Sequence, residues 1–111
     1  MKRFLVLYQS AVSAEEQMAR ATPEQAKAGM DAWMAWAAKA AGAIVELGAP
    51  LGGSQHVESG STSGGKTPIR GYSILQGASI DEIVRLMDGH PHLMMPDASI
   101  EVLEALPMPG M

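Results

Sequence analysis

The chain has 111 residues, a length that fits one domain with one hydrophobic core. Apolar residues make up 47% and charged residues 18%, with a formal net charge of −4, so the composition excludes a disordered chain and argues against a nucleic-acid surface, which needs a basic stripe. There is no cysteine, which excludes disulfides, thiol catalysis and cysteine-ligated metal centres and suits a reducing cytoplasm.

The first predicted element is a strand over residues 3–8, a short run of aromatic, aliphatic and β-branched side chains. The same segment has some features of an export signal, since Lys2 and Arg3 precede it and small residues follow at 11–14. Its apolar stretch is shorter than the about 7–15 residues of a signal-peptide core, so we expect a strand. No apolar run in the sequence reaches the length of a transmembrane helix, and no membrane partner is expected.

Helix-capping patterns place the first helices. Ser13 and Glu16 have capping-box spacing and predict a short helical turn, and a second capping box with proline at the first position predicts a longer helix over 23–41. Gly42 is its predicted end. Helical spacing predicts that its inward face consists of Ala26, Met30, Trp33, Ala37 and Ala41, flanked by Met34 and Trp36.

The second half of the chain predicts three or four more strands and one helix. The strands are expected at 44–47, 55–58, 69–76 and 99–106. Ser79 and Glu82 cap a second helix that ends at Gly89, with a buried face of Ile80, Ile83, Val84 and Met87. Residues 59–67 are rich in Gly and Ser and are predicted to form a flexible loop, and residues 107–111 a loose tail or a small dimer clasp.

The element order β-α-β-(β)-β-α-β is a split βαβ pattern, so the fold class is α+β, ferredoxin-like, with an antiparallel sheet in one domain over 1–111. Two helices cover only one face of such a sheet. The strands are nevertheless apolar on both faces; in the first strand Leu5 and Leu7 alternate with other large apolar residues. The sequence therefore predicts a homodimer in which a second copy covers the open face.

Six short motifs, in order along almost the whole chain, resemble one known family. They are residues 1–8, Thr-Pro-Glu-Gln at 22–25, Gly42 followed by a strand and Gly48, residues 70–75, Ser-Ile-Asp-Glu at 79–82 and Ser-Ile-Glu-Val at 99–102. In these the chain resembles the YCII-related family, and within it the DGPF-domain proteins, of the dimeric α+β barrel superfamily. The resemblance implies a ferredoxin-like protomer, sheets that face each other across a dimer, and a pocket near the sheet. Superfamily relatives include isomerases, monooxygenases and haem proteins, so the fold implies no particular activity.

The chain departs from that family at two places. The Asp-Gly-Pro-Phe signature is missing, and residues 59–67 stand in its place. Some members carry a His in the first helix, paired with an Asp; here that position holds Asp31, and no Asp lies between 32 and 80. A His–Asp mechanism is therefore not carried over.

Residues 60–67 match the letters of a phosphate-binding loop, with Gly60, Lys66 and Thr67 at the required spacing. That chemistry needs a strand entering the loop and a helix leaving it. Pro68 follows at once and a strand is predicted from Ile69, so we interpret the match as chance.

His90-Pro91-His92 is the most chemically suggestive cluster, because two imidazoles one residue apart in extended chain point the same way. With Asp88 or Asp97 they could hold a divalent metal; the alternative is a loop cap after the second helix. No third ligand is specified, so no metal is predicted. If the protein is an enzyme, His90 and His92 are the candidate catalytic acid and base.

Arg70, Tyr72 and His56 are the candidate ligand-binding residues. Arg70 and Tyr72 share a strand and could line a sheet-side pocket for an anionic ligand, or pack in a dimer interface. His56 is expected at a surface or interface. The sequence thus predicts a homodimer that binds a small organic ligand between sheet and helices, with or without His acid–base catalysis; the alternative is a non-catalytic regulatory or protein-interaction module. It identifies no cofactor.

Overall fold

A computed structural model describes residues 1–110 of the chain; Met111, the last residue of the predicted tail, lies outside the described residues. In chain order the elements are β1 (Lys2–Gln9), α1 (Ala14–Arg20), α2 (Pro23–Lys39), β2 (Ile44–Pro50), β3 (Gln55–Glu58), β4 (Ser61–Gly64), β5 (Ile69–Gly77), α3 (Ile80–Leu86) and β6 (Ser99–Ala105). Short 3₁₀ turns follow α2 at Ala41–Ala43 and precede β6 at Pro91–Met94.

The predicted caps start all three helices. Thr22 and Gln25 form a reciprocal capping box: the Gln25 amide donates to Thr22 Oγ1 at 3.1 Å, and the Thr22 amide donates to Gln25 Oε1 at 3.0 Å. Ser13 accepts the Glu16 amide at 3.1 Å, and Ser79 accepts the Glu82 amide at 3.3 Å. Each bond satisfies an amide that the first helical turn would otherwise leave without a partner.

The main sheet has the strand order β2-β5-β1-β6, and each neighbouring pair is antiparallel. β1 and β2 flank β5, while β5 and β6 flank β1, so each crossover skips one strand. This arrangement is the split βαβ topology, and it confirms the predicted α+β, ferredoxin-like class.

The core lies between the sheet and the helices α2 and α3. It is formed by Phe4, Val6, Tyr8, Trp36, Ala40, Leu75, Ile83 and Met87. The three β1 members alternate along the strand, so they share one face, and Leu75 of β5 packs beside them.

The predicted inward faces of the helices are partly wrong. In α2 and just after it, Trp36 and Ala40 are buried, whereas Met30 is 61% exposed and Ala26 and Ala41 are exposed as well. Periodicity defines a face but not how much of a helix the rest of the fold covers, and residues 23–31, the first half of α2, are all exposed.

The short helix α3 shows the same limit. Ile83 and Met87 are buried, but Ile80 and Val84 are 41% and 52% exposed. Ile83 and Met87 form one i,i+4 row along the helix, and Ile80 and Val84 form the neighbouring row. Only the row of Ile83 and Met87 faces the sheet.

The predicted loop at 59–67 is wrong for residues 61–64. They form β4, which pairs with β3 in a separate two-stranded hairpin that turns at Ser59 and Gly60. Ser and Gly carry little strand preference, so this pairing depends on the neighbouring strand and not on the residues of β4 themselves.

The second face of the main sheet carries apolar side chains beside charged ones. Leu5 on β1 lies opposite Ile74 on β5 and Leu103 on β6, and Leu5 and Leu103 are 37% and 41% exposed. Because the core helices pack on the other face, this surface, which we call the open face, stays accessible in the protomer. Among residues 1–110, no helix is long and apolar enough to cross a membrane.

Candidate functional site

His90 occupies a buried position that the local backbone determines. Gly89 reverses the chain after α3 with a φ of 71°, and Pro91 begins the 3₁₀ turn. His90 caps that turn: its Nδ1 accepts the backbone amide of His92 at 3.0 Å, and its side chain is 1% exposed. Because Nδ1 accepts, the proton of the neutral imidazole is on Nε2.

Three aromatic rings surround this imidazole. The ring centroids of Trp36, Trp33 and Tyr8 lie 4.4, 4.7 and 5.0 Å from that of His90. Among the described residues Nε2 has no hydrogen-bond partner, although it is fully buried. A buried donor without an acceptor is rare in folded proteins and often marks a functional or strained position.

The environment also keeps His90 uncharged. Burial, with a smaller effect of the neighbouring His92, lowers the pKa of His90 to about 4. At neutral pH the side chain is therefore a neutral N–H donor, able to bind a carbonyl or carboxylate oxygen without carrying charge.

His92 is placed differently. Its Nε2 lies 2.9 Å from the carbonyl oxygen of Gln9 and 3.1 Å from that of Ser99, a register pair where β1 and β6 meet. The ring thus donates to two backbone carbonyls and attaches the 3₁₀ turn to the sheet. His90 and His92 are close in sequence but have separate partners, and residues 1–110 contain no group of three or more metal-binding side chains.

A shallow, open cleft of about 320 Å³ lies between α2 and the turn that follows α3; His90 itself does not line it. Its lining residues are Ala32, Ala35, Trp36, Lys39, Asp88, Gly89, Pro91 and Met94. Gly89 and Pro91 are the chain neighbours of His90, and Trp36 is also one of the three rings around the imidazole. The walls are mostly apolar, with one ammonium and one carboxylate group at Lys39 and Asp88.

A buried chain of hydrogen bonds runs from Tyr8 through Ser73 to the backbone of Leu47. Its hydroxyl donates to Ser73 Oγ at 2.7 Å, and Ser73 donates to the Leu47 carbonyl at 2.6 Å. Burial raises the pKa of Tyr8, which keeps it a donor at neutral pH. Sequence reasoning missed these hydrogen bonds, although a serine at an inward position of an apolar strand indicates that a polar partner lies nearby.

Arg70 and Tyr72 lie on the open face, away from the histidines. Arg70 donates from Nε to the Ser10 carbonyl at 2.8 Å and from Nη2 to the Ala11 carbonyl at 3.1 Å, so its guanidinium fixes the chain that leaves β1. Tyr72 donates to Glu46 at 2.5 Å, and this hydrogen bond raises the pKa of Tyr72.

His56 lies on the exposed hairpin, with Nε2 2.8 Å from Glu58 Oε1. It borders a cavity of about 430 Å³ whose other lining residues are Ser54, Gln55, Gly65, Lys66 and Thr67. The residues that match a phosphate-binding loop run from β4 into β5, so no helix N-terminus follows Thr67.

Asp31 is exposed on α2. Its carboxylate pairs with Lys27 at 2.9 Å, one helical turn away. The sequence candidates therefore occupy separate places: the buried His90 and His92, the open face with Arg70 and Tyr72, and the hairpin with His56. Neither models of known protein families nor curated proteins give a match to this chain.

Proposed function

We propose that this protein is a YCII-related homodimer of the cytoplasm that binds a small organic ligand through His90. The motif order along the chain and the ferredoxin-like topology support the family assignment. The observation that carries the ligand proposal is the buried Nε2 of His90, which has no partner among the described residues.

The cleft beside His90 supports the proposal of a small ligand. A volume of about 320 Å³ lies in the range of small-molecule sites, which are mostly apolar with a few polar groups. A ligand that packs against Trp36 and Pro91 and places a carbonyl or carboxylate oxygen at Nε2 would satisfy the donor. Because His90 is 1% exposed and does not line the cleft, binding requires the wall between the cleft and Nε2 to open.

If the ligand is a substrate, the geometry favours one role for His90. With Nδ1 engaged and Nε2 protonated, the neutral ring would polarise a carbonyl group and not remove a proton. The acid–base role predicted for His92 is less well supported, because its Nε2 already donates to two carbonyls.

The surface of the protomer supports the homodimer. The chain exposes 7505 Å², whereas a monomer of this mass exposes about 5,900 Å². Its radius of gyration is 15.6 Å, against about 13 Å for a compact domain of this length. The excess of about 1,600 Å² exceeds the roughly 800 Å² that each partner buries in a standard interface.

The alternative function is a non-catalytic interaction module, and one contact favours it. The His90 and Trp33 rings are nearly perpendicular, at 89° with centroids 4.7 Å apart. An aromatic face can accept an N–H group weakly, so the cluster can be a purely structural part of the core.

Native mass spectrometry of the untagged protein tests these proposals together. The expected result is a dimer that retains a small molecule, and the His90→Asn variant, which keeps an acceptor for the His92 amide, should lose the molecule but remain a dimer. His56→Ala is the control and should retain it. An empty wild-type dimer would support the interaction module, and a monomer would overturn the dimer proposal.

A further inference from the structure

The β3–β4 hairpin stands apart from the rest of the protomer. All eight residues of its two strands are exposed, and Val57 is 70% exposed. The two strands pair with each other and with neither edge of the main sheet. A two-stranded hairpin without a third strand or a helix against it is marginally stable in water.

The turn makes the hairpin weaker still. Gly60 has a φ of 82°, and no non-glycine residue among 1–110 has a positive φ, so Ser59 does not. The turns that match strand twist need a positive φ at both central residues or at the first one. Here only the second residue has it, so the turn does not by itself hold β3 and β4 together.

The base of the hairpin is nevertheless fixed. The Gly65 amide donates to the Ser54 carbonyl at 2.9 Å, and the Leu51 amide donates to the Arg70 carbonyl at 2.9 Å. Arg70 in turn holds the end of β1 through its guanidinium. The hairpin is therefore an arm held at its base by the main sheet.

The two faces of this arm differ in chemistry. Val57 lies opposite Thr62, and their side chains share one face. The other face carries His56 opposite Ser63, with His56 Nε2 hydrogen-bonded to Glu58. One face is thus suited to packing and the other to solvent.

We propose that the arm packs through its Val57–Thr62 face on a second copy of this chain. The inference rests on the proposed homodimer and adds a contact outside the open face. The protomer is flat, measuring 50 × 41 × 20 Å, and its excess surface is about twice what one partner buries in a standard interface. A contact between the arm and the second copy, in addition to the open-face contact, would bury this excess surface. The same contact would stabilise a hairpin that is weak by itself.

Sedimentation equilibrium of the full chain tests the arm. Val57→Lys and Thr62→Lys should each raise the dimer dissociation constant about tenfold or more, as expected for a lysine placed in a packed contact. Ser61→Lys and Ser63→Lys add the same charge to the opposite face and should leave it unchanged. The inference is overturned if all four variants dimerise like the wild type.

A crosslinking experiment gives a second measurement that does not depend on altered affinity. The chain has no cysteine, so Val57→Cys can carry a benzophenone label at a single site. Irradiation should give a crosslinked dimer, with little from the same label at Ser63→Cys, and equal yields would overturn the inference. If Leu5→Asp gives a monomer while no arm variant weakens the dimer, the open-face dimer stands and the arm inference falls; a monomeric wild type removes both.

Discussion

The backbone amide of His92 donates a hydrogen bond to Nδ1 of His90 at 3.0 Å, and this contact fixes the chemistry of the buried imidazole. It places the proton on Nε2 and points that atom into aromatic surroundings where no described residue accepts it. A motif that looks like two free bases in the sequence is a capped turn with one unsatisfied donor.

The first prediction concerns pH. An unfolded histidine titrates near pH 6.5, whereas the folded pKa of His90 is about 4, so the unfolded state takes up the proton first as the pH falls. The contribution of the neutral, buried His90 to the free energy of unfolding is fully present above pH 6.5 and is lost as the pH falls towards 4. We expect a loss of about 3 kcal/mol in the free energy of unfolding, measured by urea titration at fixed protein concentration.

The His90→Asn variant isolates this contribution, because its side-chain oxygen can accept the His92 amide and it does not titrate. The difference between wild type and variant should be constant above pH 7 and should shrink by about 3 kcal/mol between pH 7 and pH 4. Parallel pH profiles would show that His90 is not buried and neutral in the folded protein.

The second prediction concerns the polar chain from Tyr8 through Ser73 to Leu47. Ser73→Ala leaves the Tyr8 hydroxyl and the Leu47 carbonyl unpaired, and should cost about 2 kcal/mol or more. Tyr8→Phe preserves the Ser73–Leu47 bond and should cost about 1 kcal/mol. In the double variant the losses should not add, with a coupling of about 0.5–3 kcal/mol in a double-mutant cycle; strict additivity would contradict a shared network.

The third prediction compares two glycines with similar backbone angles. Gly48 and Gly60 have φ values of 88° and 82°. A Cβ at Gly48 would lie 1.7 Å from the Tyr72 carbonyl oxygen, while nothing lies within 4 Å of a Cβ at Gly60. Gly60→Ala should therefore cost only the about 1–2 kcal/mol of backbone strain.

Gly48→Ala adds a backbone collision to the same strain and should cost more than about 4 kcal/mol, a large part of the about 5–15 kcal/mol by which an ordinary domain is stable. Circular dichroism and thermal unfolding measure both variants. Similar melting temperatures for the two variants would mean that β2 can move away from β5 without a loss of stability, and would contradict the prediction.

The fourth prediction concerns the open face. Leu5 and Val84 are 37% and 52% exposed, on opposite sides of the protomer. Leu5→Asp should weaken the dimer at least tenfold, because it places a charge between Ile74, Leu103 and the second copy. Val84→Asp is the matched control on α3 and should leave dimerisation unchanged in sedimentation equilibrium; equal effects would argue against sheet-to-sheet assembly.

The sequence alone was sufficient for the helices, the main-sheet strands and their topology, but not for β4. Helix starts are local, since a capping side chain binds amides three residues away, and Thr22 and Ser79 are therefore readable without a structure. Short apolar runs identify β1 and β5, and the order of elements leaves few topologies to choose from. The prediction of Leu5 and Leu7 on a second apolar face follows from the side chains of a strand pointing to alternate sides.

Only the tertiary structure decided which candidates share a site. The orientation of β5 in the sheet places Arg70 and Tyr72 on the open face and Ser73 on the core face, because neighbouring residues of a strand point to opposite sides. Which part of α2 the rest of the fold covers determined that Met30 is exposed, and this depends on packing between elements remote in sequence. The unsatisfied Nε2 of His90 is likewise a property of three rings brought together from β1 and α2, which no local pattern of residues contains.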